Sequence, residues 1–244
     1  MSTVNGGQGN IVTNGLVLNL DAANPRSYPQ PYNGTTWQNL VPVSSSISGS
    51  LINGIAYTGS NNGSLVFNST SGSFISVISN ANFPSISQDS QSFSISCWIK
   101  GTVSGSGNVV IGQDFSSTAN GWNGLFFNST LVYAVIGNNT TRDLVSISHL
   151  LTTSSFKAFT ATYNGTQLSL YVNGYLGNLA SSTIFPNLNN SNKSWTIGGN
   201  FERTSPANSG FLQGEIPAVC FYDRALNASE VLQNFNATRA RFGI

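Results

Sequence analysis

Residues 156–174 read FKAFTATYNGTQLSLYVNG, and this stretch decides the fold. Two runs of alternating apolar and polar residues flank Asn164-Gly165, a pair suited to the positive φ angles of a tight hairpin turn. Asn173-Gly174 repeats the device, so three successive strands are expected to form a meander. A side-chain period of two puts one face of such strands in a core and leaves the other for solvent or a second layer.

The same alternation recurs outward from this hairpin. Upstream, SFSISCWIK (92–100) sends Phe93, Ile95, Cys97 and Ile99 to one face and leaves Trp98 on the other, where it needs cover from a loop or another layer. Leu16, Leu18 and Leu20 mark the first core strand. Further short strands are expected at 64–67, 73–78, 108–112, 125–127, 131–136 and 144–148, each bounded by Gly, Asn or Ser clusters. Between Asp21 and Leu40 the prolines at 25, 29 and 31 exclude a central strand and hold Tyr28, Tyr32 and Trp37 in a long loop. Downstream, FLQGEIPAVCFYDRAL (211–226) is the last strand, with Pro217 expected at a bulge or an edge. A single helix follows: Asn227 at N-cap and Glu230 at N3 form a capping box, and Val231, Leu232 and Phe235 form its apolar stripe. The expectation is an all-β, two-sheet antiparallel sandwich with one short C-terminal helix, residues 15–244 forming one domain behind a flexible N-terminal arm, residues 1–14.

Composition narrows the function. Charged residues make up 7% of the chain and the net charge is +1, which offers no footprint for nucleic acid. The nearest approach to a basic patch is Arg239 and Arg241, placed in the last turn of the expected helix, where cations favour the helix dipole. The N-terminus shows no signal peptide and no apolar run is long enough to span a bilayer, so membrane insertion is not expected. Cys97 and Cys220 sit in alternating apolar runs and read as buried thiols, with a bridge between them as the alternative. Asn-x-Ser/Thr sequons recur, at Asn33, Asn128, Asn164 and Asn236 among others, and the abundance of Asn, Ser and Thr accounts for most of them.

Three segments together, SFSISCWIK, FKAFTATYNGTQLSLYVNG and GEIPAVCFYDRALNASEVLQNF, resemble the concanavalin A-like lectin/glucanase superfamily in its laminin G-like, pentraxin-like branch. The resemblance runs over roughly residues 15 to 240 and implies a jelly-roll of two sheets of six or seven strands, with a concave face and loop clusters at its rim. GLVLNLDAANPRSYP followed by GTTWQNL is similar to the opening of stand-alone members found in phage and virus structural proteins.

Glucanases of this superfamily carry a Glu-x-Asp-x-x-Glu strand, and no such pattern exists here. The eight acidic residues are scattered; Glu215 on a strand and Glu202 in a loop read as solvated, and Glu230 as a cap. His149, the only histidine, has no nucleophile motif beside it, so catalytic residues are expected to be none. The resemblance implies a possible calcium ion at the loop rim, for which Asp114, Asn200 and Glu202 are the candidates; no cofactor is required. For a sugar, GQDFSSTANGWNG supplies Asp114, Asn120, Trp122 and Asn123, against the alternative that Trp122 packs a loop onto the core. Tyr28, Tyr32 and Trp37 admit the same two readings.

The leading expectation is a non-catalytic virion structural protein, a capsid decoration or cement subunit that is homo-oligomeric, assembled in the host cytoplasm and partnered by a major capsid protein. A carbohydrate-binding adhesin or lectin for surface glycans is the alternative, and a glycoside hydrolase comes last.

Overall fold

The computed structural model describes residues 10–42, 47–77, 92–103, 109–114, 122–138, 140–148, 151–182, 184, 195–199 and 210–244. Within them, two antiparallel sheets of eight strands each face one another. The first sheet contains β1 (Leu16–Asp21), β4 (Ala56–Thr58), β5 (Ser64–Phe67), β7 (Phe93–Val103), β12 (Lys157–Tyr163), β13 (Gln167–Val172), β14 (Tyr175–Ser181) and β16 (Leu212–Tyr222). The second contains β2 (Thr36–Gln38), β3 (Ser48–Ile52), β6 (Phe74–Val77), β8 (Val109–Asp114), β9 (Trp122–Phe127), β10 (Leu131–Gly137), β11 (Arg142–Ser148) and β15 (Trp195–Ile197). Eight rather than six or seven strands arise because the short β2 and β4, three residues each, extend the sheets with rim segments. The inward residues of both sheets, Phe93, Ile95, Leu125, Phe127, Phe159 and Ile197 among them, form one buried core.

The expected meander is present as β12–β13–β14, but its two turns differ. Asn173 and Gly174 both take positive φ, 49° and 83°, as a two-residue hairpin requires. At the other turn only Gly165 does so, at 94°. Asn164 instead uses its side chain: its Oδ1 accepts from Thr166 N at 3.0 Å and Gln167 N at 2.8 Å. Asn128 does the same with Thr130 and Leu131, and Asn138 with Thr140 and Thr141. Three sequons are therefore one turn device used three times, the Asn carboxamide mimicking a backbone turn.

Pro217 sits where the pairing of β16 is irregular, between Glu215 and Ala218. On one side of that bulge β16 pairs with β5, on the other with β1, and the Pro217 carbonyl accepts from Ala22 N at 2.9 Å at the handover. A residue without an N–H costs nothing at such a position.

Trp98 finds its cover. Helix α1 (Ala228–Thr238) and a following 3-10 turn, Arg239–Phe242, lie over the outer face of the first sheet. Trp98 stacks on Phe235 at 5.7 Å and on Phe242 at 4.1 Å, and its Nε1–H donates to Thr238 Oγ1 at 3.0 Å. The capping box forms as read, with Asn227 Oδ1 accepting from Glu230 N and Glu230 Oε2 from Asn227 N. Glu230 also takes a two-pronged bond from Arg224, at 2.8 and 2.7 Å, and Arg224 Nε donates to Asn14 O. The Tyr-x-Arg-Ala-Leu turn is thus a structural lock: Ser94 Oγ donates to Arg224 O and accepts from Leu226 N.

The arm expected to run through residue 14 is, over residues 10–14, part of the packed body; residues 1–9 lie outside the described residues. Val12 is buried, its N–H bonded to Asn234 Oδ1 at 2.8 Å and its carbonyl to Tyr222 Oη at 3.0 Å. Cys97 and Cys220 are both free thiols. Cys97 lies in the central core with its β16 neighbour Val219, whereas Cys220, one residue on, turns to the outer face beside Leu16. Adjacent residues of a strand point to opposite faces, so the register keeps the two sulfurs on different sides of the sheet. Burial raises both thiol pKa values, that of Cys220 to about 12.

Candidate functional site

Helix α1 and the turn after it cover Trp98, Ala158 and Ala218 on the outer face of the first sheet. Of the residues expected to bind sugar or metal, Asn120, Asn200 and Glu202 lie outside the described residues, as does His149. Asp114 is described through its backbone, as the last residue of β8 paired with Trp122. Trp122 is 7% exposed. It lies flat on Phe126, ring centroids 4.8 Å apart, with the Arg142 guanidinium 4.9 Å above its other side. That is the packing arrangement of an outer-face cluster completed by Val135 and Tyr133. Asn123 is fully buried and its carboxamide is spent on β10: Gly137 N donates to its Oδ1 at 3.0 Å and its Nδ2 donates to Gly137 O at 3.2 Å. The side chain extends the β9–β10 ladder past Gly124, the last residue that pairs through backbone.

Three of the described carboxylates are tied to cations. Glu215 pairs with Lys100 at 2.9 Å, Glu230 with Arg224 at 2.7 Å and Asp21 with Arg241 at 2.7 Å. Among the described residues no three His, Cys, Asp or Glu side chains converge as metal ligands would.

Three tyrosines cluster at the opposite rim. Tyr28, Tyr32 and Tyr57 stack on one another. The Tyr32 and Tyr57 rings are nearly parallel, 8° apart with centroids separated by 4.0 Å, and Tyr28 lies 5.8 Å from Tyr57. Tyr28 is the buried anchor, its hydroxyl donating to Gly34 O at 2.8 Å, while Tyr32 and Tyr57 are half-buried. Tyr32 adopts a φ of 61°, which a bulky residue seldom tolerates, and the turn Tyr32 N to Pro29 O at 3.0 Å holds it there. The Gln30 carboxamide donates to the Tyr32 hydroxyl at 3.2 Å.

Polar groups flank this stack. Asp21 ends β1, and Arg241 reaches it from the 3-10 turn after α1, also donating to the carbonyls of Asn61 and Gly63. Arg241 is therefore not a helix-dipole cation, as its position in the sequence implied: α1 ends at Thr238 and the guanidinium ties the C-terminal turn to β1. Exposed Asn61 and Asn62 adjoin it, both at positive φ, 52° and 63°. Burial and the neighbouring Tyr32 raise the Tyr57 pKa, so its phenol stays neutral, able to donate and accept. The rim thus offers a flat aromatic pair with neutral amides, a phenol and one carboxylate around it, contributed by residues near 21, 32, 57, 61 and 241.

The structure is a two-sheet β-sandwich with a helix over one sheet and an aromatic cluster at its rim. Residues 76–232 match the laminin G family model, and the chain belongs to the concanavalin A-like lectin/glucanases superfamily. No curated protein matches the sequence. Among solved structures, the binding domain of Paraclostridial mosquitocidal protein 1 is similar, at 19% identity and a TM-score of 0.63, over 91% of this chain and 52% of that one. The binding domain of botulinum neurotoxin DC in complex with rat synaptotagmin II aligns at 13% identity and a TM-score of 0.63, over 92% and 52%. The same neurotoxin domain in complex with SialylT aligns at 14% identity and a TM-score of 0.62, over 92% and 52%. The chain spans about half the length of these structures, and at such identities the likeness is one of fold.

Proposed function

We propose that the protein is a non-catalytic, lectin-like recognition module and that its ligand is a surface glycan held at the Tyr32–Tyr57 rim. The observation that carries this reading is the parallel, half-buried tyrosine pair beside Asp21, Asn61 and Asn62. A sugar ring presents an apolar C–H face and an equatorial fringe of hydroxyls; each tyrosine ring spends one face on the other, and the outward side of the pair would meet the C–H face while the amide and carboxylate groups meet the hydroxyls. The commitment of Glu215, Glu230 and Asp21 to cations supports a binding role over hydrolysis, which requires a carboxylate pair free to exchange protons. Binding domains of the same fold that have been solved in complex with SialylT and with rat synaptotagmin II are consistent with it.

A variant pair tests the site. Tyr57→Ala and Tyr32→Ala should each weaken binding of the recognised glycan at least tenfold in titration calorimetry while the circular dichroism spectrum is unchanged. Unaltered affinity in both would remove the rim as the site. The β8–β9 end carries the calcium proposal through Asp114, tested separately from the sugar by titrating calcium into EDTA-treated protein: a saturable heat of binding is the result it requires, and its absence removes the proposal.

A second reading, a capsid decoration or cement subunit seated on a major capsid protein, draws on the opening segment, whose polar groups the fold uses structurally: Asn39 Oδ1 accepts from Asn19 N at 2.8 Å and Ser27 Oγ donates to Gln38 O at 2.5 Å. Immunogold labelling of purified virus particles would support that reading if it decorates capsids and defeat it if particles are unlabelled.

A further inference from the structure

The two charges at the tyrosine rim are not equally open to a ligand. The Arg241 side chain is 12% exposed and that of Asp21 32%. The guanidinium is largely spent: its Nε–H donates to Asn61 O at 2.8 Å, one Nη1–H to Asp21 Oδ1 at 2.7 Å and one Nη2–H to Gly63 O. The Asp21 carboxylate is used on one oxygen alone. Its Oδ1 accepts from Arg241 and from Ala23 N at 2.9 Å, whereas its Oδ2 accepts from none of the described residues. Exposed Gln30 likewise gives an Nε2–H to the Tyr32 hydroxyl and keeps its Oε1. These groups stand against the rings. A Cβ placed on Gly63 would lie 2.8 Å from the Tyr57 hydroxyl, and Gly63 is the residue whose carbonyl Arg241 holds. Asp21 and Arg241 are the charged groups that act on the Tyr57 phenol.

We infer, resting on the rim as the glycan site, that it selects neutral sugars and excludes acidic ones, a sugar hydroxyl donating to the open Asp21 Oδ2. A carboxylate accepts and never donates, so the ligand must bring the proton. A hydroxyl does so and forms one of the stronger, charge-assisted hydrogen bonds. A sialyl carboxylate or a sulfate ester brings oxygens that only accept, and sets one anion against another with no proton between them. Partial burial reduces the screening of such a pair, and a like-charge contact of this kind is how a binding site rejects the wrong partner. Arg241 does not reverse the preference: it is the less exposed of the two groups and already bridges three oxygens of the protein.

The test is binding of the full chain to matched sets of oligosaccharides, each neutral glycan beside its sialylated and its sulfated form, for wild type, Asp21→Asn and Tyr57→Ala. Wild type should bind the neutral members at least tenfold more tightly than their acidic counterparts. The gap should narrow in about 1 M salt, where charges act within only about 3 Å; that arm needs no variant. It should narrow again in Asp21→Asn, whose amide oxygen still accepts from Ala23 N and Arg241 while the negative charge is gone. Acidic members bound as well as neutral ones, or a gap unmoved by salt or by Asp21→Asn in folded protein, would overturn this inference and leave the rim in place as the site, so long as Tyr57→Ala still abolishes binding. Binding that survives Tyr57→Ala, or no binding to any member, would overturn the rim as the glycan site and this selectivity with it.

Discussion

Removing the Glu230 carboxylate should cost the protein more than a surface charge normally does, and the loss should vanish in acid. Three hydrogen bonds converge on this group: two from Arg224, at 2.8 and 2.7 Å, and one from Asn227 N at 2.9 Å. Bonds to charged groups contribute roughly 1.5–3 kcal/mol each when buried, but these side chains retain 26% and 22% exposure, and solvent screening reduces the sum. For Glu230→Ala, about 2 kcal/mol is the working figure, of which a lost capping box accounts for about 1. For a domain of this size that corresponds to a fall in melting midpoint of roughly 4–8 °C. Glu230→Gln keeps the cap, since Gln serves at N3, and should lose about half as much. The Arg224 bond holds the Glu230 pKa below its ordinary value. A carboxylate with a depressed folded pKa contributes stability that is present above its unfolded pKa, about 4.3, and lost as pH falls through the folded value. Differential scanning calorimetry of wild type and Glu230→Gln from pH 7 down to pH 3 should therefore show two midpoints that stand apart at neutral pH and converge below about pH 4. A gap of constant size across that range would refute the account of the Arg224–Glu230 pair.

Four further outcomes follow from the same geometry. Trp98→Ala should cost about 3–5 kcal/mol in urea unfolding, because Phe235, Phe242 and Thr238 all lose their partner on the sheet; a loss under 1 kcal/mol would show that the helix is not held through Trp98. Asn123→Ala leaves the Gly137 N–H and carbonyl without a partner in a buried position, a cost of about 1–3 kcal/mol, and a neutral variant would argue that water replaces the carboxamide. Asn164→Ala removes two turn bonds and should destabilise by about 1 kcal/mol, with Asn164→Asp avoiding most of that loss, because a carboxylate accepts the same N–H groups. Cys97 and Cys220 should resist a thiol reagent at pH 8 in the native protein and both react in denaturant, burial having raised both pKa values; fast labelling of the folded chain, or a bridged species on a non-reducing gel, would contradict the register that separates them.

Local signals in this chain are strong, and the features they govern are the ones legible in advance. Period-two runs, Asn-Gly turns and an Asn-x-x-Glu cap act within a few residues, so the strands, the meander and the helix follow from them, as does the need of Trp98 for a covering layer. The turn at Asn164 misled in detail because Asn-Gly suits two geometries, and the neighbouring Thr166 and Gln167 N–H groups decide between them through the Asn side chain. The rim site is different in kind. Asp21, Tyr32, Tyr57 and Arg241 meet only because the C-terminal turn folds back across β1 and the proline-rich loop, a juxtaposition over 220 residues that no local pattern encodes. The GQDFSSTANGWNG segment is the converse case. Its Trp and Asn types suit a sugar, yet Trp122 is roofed by Arg142 and Asn123 serves the β10 backbone, uses that depend on strands far along the chain.

The most direct measurement is a glycan array probed with the purified protein, in calcium and again in EDTA, alongside Tyr57→Ala. The account predicts a defined set of glycans bound by wild type in both conditions and lost in the variant. A folded protein that binds nothing on the array in either condition would contradict the claim that this sandwich recognises glycans.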